Sequence, residues 1–392
     1  MRFSRARARM RSQLIAELLR LASRPDVLSL AGGVPAPELF PLPELKAAAQ
    51  RALERHGAAA LQYSPTEGHP VLRRWVAEGL GVSEDQVLIT SGSQQVIDLV
   101  ARVLLDEGDP VAVELPTYMG GLLAMNPYAP RYLGVPADAR GLVPGGLPER
   151  AKLLYLLPNF QNPTGAVLAA DRREAVAEWA RERDAVVLED DPYGHIYFED
   201  PPPPPVFSLA PERTVYAGTF SKLVAPGLRV GYAVAPVELI EALAQAKQAA
   251  DLHTNILGQA IIAELIESGA IAPQAERVRD FYRRRRDQMV SALRRHLPPE
   301  VRFDVPAGGM FLWLRFPPGT DTRRLLELAL EEGVAFVPGE PFFAADGYPA
   351  ARLTFASVPE EAIEEGVRRL SRAYVRYLED PGAGRDLALG GE

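Results

Sequence analysis

Short apolar runs recur along the middle of the chain, and helical spacing fills the gaps between them. Residues 87–90, 109–114, 153–157, 185–189, 215–217 and 230–234 are apolar with few interruptions, as buried strands are. Helical patterns cover 43–55, 72–79, 96–105 and 171–184, the first opening on Pro43, where proline is well tolerated. The alternation from about residue 87 to 234 predicts an α/β fold, a mostly parallel sheet flanked by helices. Ahead of it lie an amphipathic helix pattern from Leu14 and a short strand at 27–30. Behind it runs a long helical stretch, 236–295, broken near Ser268-Gly269 and Pro273 and suited to joining a large unit to a smaller one. Strand, turn and strand follow over 303–315, with Gly308-Gly309 inside. A helix at 322–332, strands at 334–337 and 351–355 and a closing helix at 359–379 complete the pattern. We expect a large domain over 41–285 and a smaller α+β domain built from both chain ends, 1–40 and 286–380, with a loose tail at 381–392. The five-proline run 201–205 reads as a stiff connector.

The polar clusters fall just past the strands, where an open α/β sheet binds its ligands. Ser91-Gly92-Ser93-Gln94-Gln95 joins a strand to a helix, and free N–H groups at such a junction can hold an anion. Pro116-Thr117-Tyr118 presents an aromatic ring, 158–165 carries Asn162, and Asp190-Asp191-Pro192-Tyr193 closes another strand. The loop 218–229 holds one lysine, one arginine and two hydroxyls. Lys222 can condense with an aldehyde, while Arg229, Thr219 and Ser221 can hold an anionic ester. Gly32-Gly33 lets the backbone approach a ligand closely. Each cluster alone is weak evidence, since plain turns, packing tyrosines and solvated lysines look the same.

Composition narrows the chemistry. The 392 residues suffice for two domains with a large shared core. The absence of cysteine removes disulfides, thiolate metal sites and a cysteine nucleophile, and we expect no metal. A net charge of −8 lends no support to nucleic-acid binding, and the apolar runs are too short to cross a membrane. The first eleven residues are arginine-rich and acid-free, but they run straight into the helix pattern, so we expect the mature start of a cytoplasmic protein. Of 43 basic residues only four are lysines. Lys46 and Lys247 lie in helical patterns and Lys152 precedes a strand, which leaves Lys222 in a loop.

Taken together, SLAGGVPAPELFP, LQYSPTEG, TSGSQQ, PTY, NFQNPTG, EDDPY, GTFSKLVAPGLRVGY and ARLTFAS resemble, in that order, a fold-type I aminotransferase dependent on pyridoxal 5′-phosphate (PLP). The likeness spans roughly 14–379 and is strongest to the branch of 2-aminoadipate, kynurenine and broad-specificity aromatic or branched-chain aminotransferases. The resemblance makes 41–285 the PLP-binding domain. It implies that Lys222 holds the cofactor's aldehyde carbon and later moves a proton between substrate Cα and that carbon. Asp190 would pair with the pyridinium nitrogen, chosen over Asp191 by the Asp-x-x-Tyr spacing, while Tyr193 and Asn162 would donate to the ring's 3′ oxygen. Ser93, Gln94, Thr219, Ser221 and Arg229 would surround the phosphate, with Tyr63 reaching it from a second copy, so the active sites of a homodimer would be shared. Tyr118 would stack on the ring. Arg352 would clamp the substrate α-carboxylate, helped by Asn162 and the Gly33 backbone.

The implied reaction is a ping-pong transfer from an L-amino acid to an oxo acid, 2-oxoglutarate being the expected acceptor. In this branch a helix near the N-terminus touches the substrate side chain, and members that take 2-aminoadipate place an arginine there. Ala16 aligns with that position, beside Leu14, Ile15 and Leu18, which suits apolar or aromatic substrates. A shift of register to Arg11 or Arg20 would restore the 2-aminoadipate reading. Elimination or decarboxylation on the same cofactor is the further alternative. A PLP-binding transcription regulator is the least expected, because only 28 residues precede Ser29.

Overall fold

The computed structural model describes residues 3–10 and 26–380. Strand β1 (Leu28–Ser29) comes first, and the large sheet follows with β2 (Val87–Thr90), β3 (Pro110–Leu115), β4 (Arg131–Asp138), β5 (Gly141–Leu142), β6 (Leu153–Leu156), β7 (Val186–Asp190), β8 (Thr214–Thr219) and β9 (Gly231–Val234). Their order across the sheet is β2-β9-β8-β7-β6-β3-β4-β5. The pairs from β8 to β4 are parallel; β9 runs antiparallel to both β2 and β8, and β5 antiparallel to β4. Strands β2, β3, β6, β7 and β8 therefore end on one edge of the sheet, where the polar loops gather.

The apolar runs are explained by burial on both faces. Val111, Val113, Leu153 and Tyr155 pack with Val96, Ile97 and Val100 on one side. Their strand neighbours Ala112, Leu154 and Leu156 pack with Val176 and Trp179 on the other. Side chains alternate along a strand, so a strand covered on both faces has no polar position to spare.

The remaining strands are β10 (Phe311–Arg315), β11 (Val334–Ala335), β12 (Val337–Pro338) and β13 (Ala350–Thr354). They form a three-stranded antiparallel sheet, β10-β13-β12, and β1 pairs in parallel with β11. The N-terminal strand is thus built into the C-terminal part of the chain, as expected. The helix Ile271–His296 reaches both parts. Gln274 donates to Leu39 O and Leu223 O, and Arg285 to Ala356 O further along.

Several expectations are corrected. Residues 334–337 are not one strand: the chain leaves β11 at Phe336 and joins a different sheet as β12. Only Phe311–Arg315 within 303–315 is a strand, and Arg302, just ahead of the stretch, joins it through a single bridge to Arg315. The stretch 236–295 breaks at 252–255 as well as at 268–270, with Leu252 left-handed at φ 65°, while Pro273 lies within the first turn of the last helix. Strands β4 and β5 were not anticipated. On β4 only Val135 is buried, and Gly134 and Pro136 interrupt any alternation. Asp190 is the last residue of β7 rather than a loop residue beyond it.

Candidate active site

Lys222 lies in the turn after β8. Its Nζ donates to Gly33 O at 3.2 Å, joining the loop after β1 to the edge of the large sheet. Burial pushes its ammonium down to about 8, the guanidinium charges of Arg352 and Arg229 push the same way, and Asp190 opposes them. A lysine so placed reaches its neutral, nucleophilic form about two pH units earlier than an ordinary lysine, so some free amine is present even near neutral pH.

The end of β7 supplies two carboxylates in different situations. Asp191 is occupied: Asn159 Nδ2, the Tyr216 hydroxyl and the Gly194 N–H all donate to it. Asp190 is buried and accepts from the Tyr155 hydroxyl through Oδ2 at 2.8 Å, while its Oδ1 has no hydrogen-bond partner among the described residues. Burial pushes its carboxyl up to about 7, with Asp191 adding repulsion and Tyr155, Ser93 and Lys222 pulling the other way. An orphaned buried carboxylate oxygen is costly unless a donor or cation completes it. A protonated ring nitrogen fits that need, and the occupied Asp191 does not offer one.

Arg352, on β13, is buried. It donates from Nη1 to Asn162 Oδ1 and from Nη2 to Ala31 O, both at 2.9 Å. Its guanidinium lies 4.4 Å from the Phe311 ring centroid, and burial lowers its pKa to about 10. Burial raises the Tyr193 hydroxyl pKa and the Asn162 amide opposes that rise, so the same amide that meets the arginine also stands near the tyrosine. Tyr118 is close enough to feel Asp190, Arg352 and Arg229, and burial raises its hydroxyl pKa.

Arg229, Gly92 and Gly231 form a cradle at the ends of β2 and β8. Arg229 is left-handed at φ 54° and donates from Nη2 to Ser91 O at 3.0 Å. Gly92 has φ 84°, and a Cβ there would fall 2.8 Å from Arg229 Nη2. A Cβ on Gly231 would fall 2.7 Å from Gly92 C. Beside them Thr219 Oγ1 and Ser221 Oγ lie 2.9 Å apart. Next to Gly92 the helix Ser93–Leu104 begins, and its first N–H groups have no carbonyl within the helix. Hydroxyls, a guanidinium and free amides around a space that side chains would fill suit a phosphate.

The structure thus brings together Gly33, Ser93, Tyr118, Asn162, Asp190, Tyr193, Thr219, Ser221, Lys222, Arg229 and Arg352. Two candidates differ. The Gln94 side chain donates to Gly120 O at 2.7 Å, leaving its backbone N–H as the group free for an anion. Tyr63 is 77% exposed, edge-on to His253 and outside this cluster. Ala16 and its neighbours lie outside the described residues.

Sequence reasoning missed Tyr155 and Gln161. Tyr155 sits in an apolar strand and reads as core. Gln161 donates to Pro116 O and accepts from the Thr164 hydroxyl, tying the Tyr118 loop to the Asn162 loop. Its place beside Asn162 was the available signal.

The model of the aminotransferase class I and II family matches residues 25–124 and 141–370. The 2-aminoadipate transaminase of Thermus thermophilus is 48% identical over 95% of this chain and 96% of its own length. The aromatic-amino-acid aminotransferase 1 of Thermococcus litoralis is 40% identical over 94% and 93%. The structure of the α-aminoadipate aminotransferase LysN of T. thermophilus, complexed with N-(5′-phosphopyridoxyl)-L-leucine, superposes with a TM-score of 0.91. It is 46% identical over 96% of this chain and 98% of that one. An amine-bearing lysine, an unsatisfied carboxylate and a phosphate-shaped cradle on a sheet of this order agree with those likenesses: the chain belongs to the class I and II aminotransferases and works with pyridoxal 5′-phosphate.

Proposed function

We propose that the protein moves the amino group of an apolar or aromatic L-amino acid to 2-oxoglutarate by a ping-pong reaction at this site. The surroundings of Lys222 carry the reading: a buried amine that feels two guanidiniums and a buried carboxylate with one oxygen unsatisfied. Asp190 would meet the ring nitrogen, Tyr193 and Asn162 the 3′ oxygen, and Tyr118 the ring face. Ser93, Thr219, Ser221, Arg229 and the Gln94 N–H would hold the phosphate. When bound, PLP supplies an electron-accepting ring for the charge left at the substrate Cα. Lys222 Nζ takes the Cα proton, and Arg352 with Asn162 and the Gly33 backbone orients the α-carboxylate.

Arg352 gives the first test. Lysine cannot reproduce two parallel donors or the stacking on Phe311. Arg352→Lys is expected to lower kcat/KM for any amino donor by about 100-fold or more, from the loss of charge-assisted hydrogen bonds. A loss below about threefold in steady-state kinetics would place the carboxylate elsewhere.

Substrate choice follows from charge. Among the described residues Arg352 and Arg229 are the cations acting on Lys222, and both are committed, one to the α-carboxylate and one to the phosphate. A distal carboxylate would need a further cation, and Ala16 supplies none. Initial rates should favour leucine or phenylalanine over 2-aminoadipate by about tenfold or more in kcat/KM, because an unpaired buried carboxylate costs well above 1.4 kcal/mol. Faster turnover of 2-aminoadipate would instead support the second reading, which the 48% identity to the Thermus 2-aminoadipate transaminase favours.

We further infer a homodimer in the cytoplasm. Exposed Leu42, Leu53, Leu61 and Tyr63 lie on the helix Leu42–His56 and the turn after it, the kind of surface a second copy covers. A Tyr63 that is exposed and outside its own site is suited to a partner's. Among the described residues no single helix is long and apolar enough to cross a membrane. We also infer a division into 1–40, 41–285 and 286–380, with the helix Ile271–His296 running across the last boundary.

A further inference from the structure

Behind the Ser91–Ser93 turn lies a buried charge that the reaction does not use. Lys247, on the helix Val237–Asp251, has no exposed side-chain surface. Its ammonium carries three donors and meets Asp251 Oδ1 at 2.7 Å, Asp251 Oδ2 at 2.9 Å and Gln95 Oε1 at 3.0 Å. Burying an ammonium is costly, and apolar residues hold a helix in place as well or better. A buried ammonium whose three donors are all taken up, by a carboxylate that still reaches solvent and by an amide, raises the question of what it holds.

The network leads to one residue. Asp251 Oδ2 accepts from Ser91 Oγ at 3.0 Å and from Gln95 Nε2 at 2.8 Å. Gln95 Oε1 accepts from the Ser91 N–H at 2.8 Å, and Ser91 O accepts from Arg229 Nη2 at 3.0 Å. Every polar group of Ser91 is therefore engaged, with Lys247 anchoring one side and Arg229 the other. Thr254 Oγ1 stands 3.5 Å from the same hydroxyl. Burial pushes the Asp251 carboxyl up, but hydrogen bonds from Lys247, Gln95 and Ser91 outweigh it and keep the group ionised. Ser91 directly precedes Gly92, whose left-handed backbone sets the direction of the turn.

We propose that Lys247 and Asp251 are positioning residues for the cofactor's phosphate, locking Ser91 and with it the Gly92–Ser93 turn that receives the ester. The inference rests on the reading of that turn as the phosphate cradle. Neither residue is assigned a contact with the phosphate, and both act through Ser91 and Gln95. A lock of this kind acts on the phosphate end of the ligand and leaves the aldehyde end alone.

The test compares apoenzyme affinity for PLP with that for pyridoxal, which lacks the phosphate, alongside the thermal midpoint of the apoprotein. Lys247→Met is the first variant. Lys247→Met combined with Asp251→Asn removes both charges together and carries the test if the single variant fails to fold. Arg229→Met serves as reference. Both Lys247 variants are expected to weaken PLP binding by about 10- to 100-fold, the range seen when groups behind metal ligands are removed, and to leave pyridoxal binding unchanged. The proposal is overturned if PLP affinity is unchanged, or if both ligands weaken equally as the apoprotein midpoint falls. If Arg229→Met itself does not weaken PLP selectively, the cradle reading has failed; if it does and the Lys247 variants do not, only this inference has.

Discussion

Lys222→Ala is expected to lower turnover of every amino acid by about 10⁴-fold or more, because one side chain is both the cofactor's covalent anchor and the proton carrier at Cα. The loss should appear in kcat as much as in kcat/KM, since the proton transfer belongs to the transition state. The protein should still fold and still hold PLP noncovalently, because Arg229, the hydroxyls and the Gly92 turn do not depend on Lys222. Single-turnover kinetics would check the first point and equilibrium dialysis the second. The depressed pKa adds a pH signature. A lysine lowered to about 8 is protonated and unreactive below that value and free above it. The rate at which wild-type apoenzyme captures PLP should therefore climb through about pH 8 and level off above, rather than rising toward the ordinary lysine range. A variant retaining a tenth of wild-type turnover would remove Lys222 from the chemistry.

Asp190→Asn carries the second large effect. Asparagine keeps the shape and can still accept from Tyr155, so the packing around β7 is retained. What disappears is the charge at the Oδ1 position that no described donor satisfies. Losing one partner of a buried charged pair costs about 2–5 kcal/mol, which corresponds to a loss of about 30- to 5,000-fold in kcat/KM. Lys222 should respond as well. The Asp190 carboxylate raises the lysine's pKa, so its removal lowers the midpoint of the apoenzyme capture profile below that of wild type. A normal rate in Asp190→Asn, paired with a deep loss in Asp191→Asn, would exchange the two carboxylates. The bonds from Asn159, Tyr216 and Gly194 to Asp191 argue for the first assignment.

The residues that could be read from the chain were those whose chemistry is out of keeping with their place. A lysine, an arginine and two hydroxyls between two apolar strands have no packing purpose, and neither does a buried-type strand ending in two aspartates. Tyr155 was hidden for the opposite reason. It occupies a core position in β6, and its one polar atom acts only because Asp190 ends the neighbouring strand, a pairing set by the parallel register of Tyr155 with Leu188. Lys247 was hidden by its helix, where a lysine normally points to water. The split of 334–337 could not be seen either, since both halves are apolar and only the partner strands differ. On the α/β half the apolar runs located the expected strands to within two residues, while the helix expected at 96–105 begins three residues earlier, at Ser93. The partly exposed β4 shows where that signal ends.

Lys222, Asp190 and the Arg229 cradle are expected to work as one transaminating site. The most direct measurement is the visible absorption of the purified holoenzyme before and after a single L-amino acid is added without any oxo acid. A yellow band from PLP bound at Lys222 should bleach as the amino acid is consumed, with one equivalent of the matching 2-oxo acid per site released. Adding 2-oxoglutarate should then restore the band. A protein that shows no band with excess PLP, or a band that no amino acid bleaches, would contradict that expectation.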